Sequence, residues 1–314
     1  EGNFKNGEIL DLDPALLAHL ETNVISHDDS IDLYANDGPS KDLLYDILVP
    51  AKKAQAVIVL LPGTWDRLEY VLSSNKELCR LAFQNQIAVI VPSVNQRLTM
   101  EKNVLDFLNA VFEHAITKYQ LPKNKFILGG FSMGGLFSTR YTEFAYEDPS
   151  KVTVVPVAAY SVDGPTDLEN MYRMEERAYN RKPGPGEPQY AMNEFKSYMG
   201  GAPDEYRKNY ELYSTFSKAR ADGGNAQFLK NVPYRVYNDV DVTWWLKNRD
   251  ADLYDMNALD QSAMINFLQH AGNKDAEFIN AFGKGYRIEG NRHPHSWSIV
   301  DAKDCINWVL KWIK

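Results

Sequence analysis

The sequence predicts an α/β chain: a mostly parallel, doubly wound sheet with helices on both faces and a mostly helical insertion. Three observations carry that expectation. Strand-length apolar runs recur, as Ala56-Val57-Ile58-Val59-Leu60-Leu61 and Ile87-Ala88-Val89-Ile90-Val91, and uninterrupted runs of this kind suit strands covered on both faces. Stretches with helical apolar spacing separate them, the signature of βαβ units. A third run, Phe126-Ile127-Leu128-Gly129, passes directly into Gly130-Phe131-Ser132-Met133-Gly134 and then into a helix-forming stretch.

Taken in order, residues 1–55 read as an antiparallel lead-in, with strand candidates at Ile31-Asp32-Leu33-Tyr34 and at 43–49, the latter closed by Pro50. The first buried strand, 56–61, ends at Pro62-Gly63-Thr64-Trp65. A helix follows through Leu68, Val71, Leu72, Leu78 and Leu81, then the second buried strand at 87–92. Val104, Phe107, Leu108, Val111, Phe112 and Ile116 mark one face of the next helix. After the glycine-flanked serine and its helix, 152–160 predicts another strand, with Pro156 tolerable at a bulge or an edge. Residues 165–230 form a long insertion broken by Pro183-Gly184-Pro185-Gly186, read as a mostly helical cap over the C-terminal edge of the sheet. So long a connection is more often functional than filler. The sheet resumes at 234–237 and near 277–282, with a helix near 262–270, and an amphipathic helix with Cys305, Trp308, Val309 and Trp312 closes the chain. No repeats and no second core appear, so 1–314 reads as one domain.

Composition narrows the function classes. The 314 residues are 44% hydrophobic and 24% charged, ordinary globular values, with a formal net charge of −8. That balance argues against nucleic acid or an anionic membrane surface as the main partner. No apolar run reaches the ~20 residues of a membrane span. The first residue is Glu1 rather than Met, which points to removal of a leading segment and to export. Cys79 and Cys305 read as buried free thiols without metal-ligand spacing. No Gly-x-Gly-x-x-Gly follows a strand and no His-x-x-x-His spacing occurs, so neither a nicotinamide cofactor nor a metal is expected.

Gly130-x-Ser132-x-Gly134 between a strand and a helix is the sequence form of a nucleophile elbow, which lifts a serine hydroxyl above the sheet on a sharp turn. Its glycines permit strained backbone and close approach. The chemistry then needs a histidine as base and a carboxylate to orient it, in the chain order Ser, Asp or Glu, His. His19, His27 and His114 precede the serine, and His270 ends a helix before Gly272. His293 and His295 remain, in the loop before the last helix. His295 is preferred, because Pro294 stiffens its approach and it lies nearer the helix start. The loop after 234–237 offers Asp239 and Asp241, which spacing alone does not separate.

These motifs resemble an α/β-hydrolase from about residue 56 to the end, most of all the catalytic domain of the prolyl oligopeptidase family and related esterases. Gly129-Gly130-Phe131-Ser132-Met133-Gly134-Gly135 resembles the nucleophile region. Asp163-Gly164-Pro165-Thr166-Asp167-Leu168 resembles the segment after the sixth strand, and 199–206 with Tyr213-Ser214 a further stretch. Pro233-Tyr234-Arg235-Val236-Tyr237-Asn238-Asp239-Val240-Asp241 is similar to a Pro-x-x-x-x-His-Gly-x-x-Asp pattern, and His295-Ser296-Trp297 to a His-x-aromatic ending. The resemblance implies the α/β-hydrolase fold and assigns the acid to Asp241. The chain departs from the pattern at Asn238, at Phe216-Ser217 and at Pro62-Gly63-Thr64-Trp65, and has no room for a β-propeller.

The expectation is a serine hydrolase with Ser132, His295 and Asp241 as triad and with Met133 and Thr64 as oxyanion-hole donors. Its substrate would be a small-molecule ester, a carbohydrate or aryl ester among the candidates, or a short peptide. Trp65, Trp244, Trp245 and Trp297 lie on loops beside the proposed catalytic residues and are expected to form an aromatic wall for substrate. The alternatives are a serine peptidase of prolyl oligopeptidase type, with Glu175 and Glu176 for a peptide amino terminus, and an inactive binding module on the same fold. No cofactor is expected, and the sequence does not give the oligomeric state.

Overall fold

A computed structural model describes residues 10–314; the first nine, on which the expectation of export rests, lie outside the described residues. The elements run α1 (Pro14–Leu17), β1 (Leu20–Ser26), β2 (Leu43–Leu48), β3 (Ala56–Leu61), α2 (Leu68–Ser74), α3 (Lys76–Gln84), β4 (Ile87–Pro92), α4 (Lys102–Tyr119), β5 (Phe126–Phe131) and α5 (Met133–Glu147). They continue with β6 (Ala158–Val162), α6 (Leu168–Arg181), α7 (Glu187–Met199), α8 (Pro203–Tyr213), β7 (Tyr234–Asn238), α9 (Val242–Arg249), α10 (Asn257–His270), β8 (Ala276–Asn280) and α11 (Ala302–Trp312).

The strands form one sheet in the order β1-β2-β4-β3-β5-β6-β7-β8. β2 pairs antiparallel with β1 and β4, and β4 through β8 are parallel. Every residue of β3, β4 and β5 is buried, which is why they read as unbroken apolar runs. Successive side chains serve opposite layers. Val57, Val59 and Leu61 join the core under α4, α5 and the insertion, whereas Ala56, Ile58 and Leu60 join the core under α2, α3 and α11. The 165–230 insertion carries α6, α7, α8 and a 3-10 turn at Gly224–Leu229.

Two expected strands differ. Ile31–Tyr34 is not a strand: Asp32 takes φ 53°, and the buried Asp29 carboxylate accepts the N–H groups of Leu33 and Tyr34, tying the segment into a local turn. The antiparallel edge is supplied by β1 instead. The strand expected at 152–160 begins only at Ala158 and runs to Val162. Pro156 has no N–H to give a ladder, and the bonding to β5 starts only with Val157 N–H to Phe126 O. This shift of the strand end matters for the site.

Candidate active site

Ser132 follows β5 with φ 54° and ψ −123°, a conformation that bulky residues rarely adopt. The neighbouring glycines make it possible. A Cβ on Gly130 would lie 2.0 Å from Gly134 O, and one on Gly134 would lie 2.1 Å from Leu61 O. The start of α5 is therefore pressed against the end of β3. Ser132 N–H donates to Val162 O at the end of β6 (2.9 Å), which fixes the turn to its neighbouring strand.

His295, in the loop between β8 and α11, places Nε2 3.0 Å from Ser132 Oγ and Nδ1 2.5 Å from Asp163 Oδ2. With the carboxylate accepting from Nδ1–H, Nε2 is left to accept the serine proton. The imidazole packs on the Phe131 ring at 4.5 Å between centroids, and its side chain is 21% exposed. Asp163 follows β6, adjacent to the strand that carries the serine, and has φ 49°. Its carboxylate is 9% exposed, its N–H donates to Tyr237 O and its carbonyl accepts from Asn257 Nδ2. Three of the chain's non-glycine positive-φ residues, Trp65, Ser132 and Asp163, stand at carboxyl ends of central strands. Strain of this kind costs about 1–3 kcal/mol each and collects where function over-determines the backbone.

The expected carboxylate partner of His295 is thus corrected. Asp241 does not reach His295. It caps α9 by accepting Trp244 N–H at 2.9 Å and pairs with Arg292 at 2.8 Å. Asp239, one strand farther from the serine than Asp163, is also spoken for: it accepts Gly283 N–H and Gly285 N–H and pairs with Arg292. The two aspartates after β7 anchor the histidine loop. The signal for Asp163 was the Asp-Gly step directly after a strand, hidden because the strand was expected to stop two residues earlier.

Met133 follows the serine directly in the chain, and Thr64 lies in the loop after β3, the strand paired with β5. Met133 is the first residue of α5, whose leading N–H groups have no helical acceptor. In the loop after β3, Trp65 N–H donates to Asn95 O and Asp66 N–H to Gly63 O, whereas Thr64 N–H has no acceptor among the described residues.

The tryptophans divide. Trp65 is 37% exposed, with its ring 5.0 Å from Tyr190 of α7. Trp244 and Trp245 are half-buried and pack around His293 at 4.6 and 5.7 Å between centroids, and the His293 ring lies 6.4 Å from that of His295. Trp297 is corrected: at 3% exposure it is a core residue beneath the site, packed 5.6 Å from Phe131.

Charges around the imidazole are unevenly placed. Burial pulls the His293 pKa down to about 2, helped by the positive charges of Arg287 and Arg249 and by the neighbouring His295. Burial pushes Asp66 up to about 6, against the attraction of Arg287 and His295 and a contact with the Gly63 backbone. Burial likewise lifts Glu175 in α6 to about 8, reinforced by Glu187 and Asp255. No group of three or more metal-ligating side chains occurs among the described residues, and no helix there is long and apolar enough to cross a membrane.

No family model matches the sequence, and no curated protein matches it. Solved structures do match the fold. An esterase of the bacterial hormone-sensitive lipase family is 15% identical with a TM-score of 0.56, covering 97% of this chain and 87% of its own. An S-formylglutathione hydrolase from Agrobacterium tumefaciens is 10% identical with a TM-score of 0.56, covering 94% and 95%. A thermostable esterase is 13% identical with a TM-score of 0.53 and covers 94% of this chain, which spans only 63% of that esterase's length. With the eight-stranded sheet, the elbow after β5 and the histidine loop before α11, this chain has the α/β-hydrolase fold.

Proposed function

We propose that the protein is a serine hydrolase that cleaves a carboxylic ester through an acyl-enzyme. The observation that carries this reading is the unbroken hydrogen-bonded line from Ser132 Oγ through His295 to the Asp163 carboxylate. Ser132 Oγ attacks the ester carbonyl carbon as its proton passes to His295 Nε2. Asp163 holds the ring in the required tautomer and stabilises the imidazolium. The oxyanion that forms accepts hydrogen bonds from the backbone N–H groups of Met133 and Thr64, with the start of α5 adding a favourable dipole. Collapse expels the alcohol, which takes the proton from His295. A water molecule, deprotonated by the same nitrogen, then releases the acid and restores Ser132.

An ester is preferred over a peptide because the fold neighbours described by activity are esterases and an S-formylglutathione hydrolase. The aromatic pairs Trp65–Tyr190 and Trp244–Trp245 suit a planar aryl group or a sugar ring. The test is labelling by a fluorophosphonate probe together with turnover of short p-nitrophenyl esters. Both are expected in the wild type and neither in Ser132→Ala. Turnover that persists in Ser132→Ala removes the proposal. A panel of acetyl, butyryl and feruloyl esters reads the acyl preference, and no hydrolysis of any of them removes the ester assignment.

A further inference from the structure

The loop after β3 contains a bulky residue in the left-handed region: Trp65 at φ 62°. Tryptophan does not hold that conformation unaided. The strain must be over-determined by neighbours, and the bonds that do so converge on one residue. Asn95, in the turn after β4, is 2% exposed. Its main-chain carbonyl accepts Trp65 N–H at 2.8 Å, and its Nδ2 donates to Asp66 O at 2.8 Å. The same amide clasps the main chain of Ala35, donating to its carbonyl at 2.9 Å and accepting its N–H at 2.7 Å. The Asn95 N–H donates to Leu33 O, so the asparagine is itself fixed twice to the 33–35 segment. Both residues that follow Thr64 are therefore held from one point, and Thr64 N–H remains without an acceptor among the described residues.

We propose that Asn95 is the positioning residue of the oxyanion hole: its amide and carbonyl lock Trp65–Asp66 in the turned form that presents Thr64 N–H to the substrate oxyanion. The inference rests on the reading of Thr64 as a donor. It makes the hole a joint product of two strand ends, β3 supplying the N–H and β4 the clamp. The clamp also reaches the cap. Tyr190 of α7 donates its hydroxyl to Gln96 O at 2.8 Å, next to Asn95, and lays its ring against Trp65. Cap helix, strained loop and clamp thus form one packed unit beside the serine.

The experiment compares wild type with Asn95→Ala, counting competent sites by fluorophosphonate titration taken to completion. Per labelled site, kcat for a p-nitrophenyl ester should fall by about 10- to 100-fold, somewhat less than deleting a donor outright. KM should stay within about threefold, because the hole binds the transition state and not the ground state. A trifluoromethyl ketone, which becomes an oxyanion on Ser132, should lose affinity by the same factor as kcat/KM. Should Asn95→Ala fail to fold, Asn95→Asp keeps the acceptor for Ala35 N–H, removes the amide donors and carries the same comparison. An unchanged kcat per labelled site, or a fall in kcat with undiminished ketone affinity, overturns the inference. Absence of labelling in the wild type would instead defeat the serine-hydrolase reading itself.

Discussion

Asp163 Oδ2 lies 2.5 Å from His295 Nδ1, though 132 residues separate them in the chain. The sheet order explains the meeting. β6 is the immediate neighbour of β5, so a carboxylate just past its end stands beside the serine turn. An aspartate past β7 starts one strand farther away. The histidine, arriving on the loop before α11, closes the line onto whichever carboxylate is nearer.

His293 sits two residues from the proposed base, and burial among Trp244, Trp245 and Arg287 pulls it down to about 2. It is therefore neutral through the working range and contributes no charge to the reaction. Its folded pKa is below its unfolded one, so it lowers stability as pH falls below about 6.5, where only the unfolded chain takes up the proton. His293→Gln is expected to leave the acid limb of kcat/KM in place between roughly pH 5 and 9. The same variant should unfold at higher temperature than wild type near pH 5, with the gain disappearing near pH 8. A displaced acid limb would mean that His293 titrates in catalysis.

Asp46 on β2 is 8% exposed, and burial lifts it to about 6, opposed by the Thr22 hydroxyl that donates to it at 2.6 Å. A raised carboxyl has the opposite sign to a salt-bridged one. Its ionisation disfavours the folded state, so stability is lost as pH rises from about 4 through about 6. Asp46→Asn keeps an acceptor for Thr22 and should stabilise the protein at pH 8 by at most about 3 kcal/mol, with almost no effect at pH 4. Urea titration at the two pH values reads this directly, and a larger gain at pH 4 would contradict it.

The tryptophans give separable outcomes. Trp297 is 3% exposed in the core, so Trp297→Ala should cost about 3–5 kcal/mol of stability without altering acyl preference. Trp245 is half-buried, next to His293 at the surface of α9. Trp245→Ala should leave stability within about 1 kcal/mol and raise KM for a feruloyl ester more than for an acetyl ester. Equal shifts for both esters would place Trp245 outside the substrate wall.

The buried strands were legible because full burial on both faces removes polar alternation, and β3, β4 and β5 read accordingly. Ser132 and His295 were legible for a different reason. One needs glycines to escape backbone clashes at the elbow, and the other is confined to a loop by Pro294. Asp163 was not read as the partner of His295 because, beyond its Asp-Gly step, the pairing depends on which strand lies next to β5, a property of sheet order that the local pattern does not encode. The aspartates after β7 offered the same residue type one strand too far away. Trp297 misled in a related way: its loop position in the sequence says nothing of the direction its ring takes, which is inward against Phe131.

Which aspartate orients His295 is the most direct test of the proposed triad. We expect Asp163→Asn to lower kcat for a p-nitrophenyl ester by about 10⁴-fold, the scale on which a misoriented imidazole fails. Asp241→Asn, which loosens only the Arg292 contact and the α9 cap, should stay within about tenfold of wild type. The reverse ranking of the two variants, measured side by side on folded protein, would contradict the account.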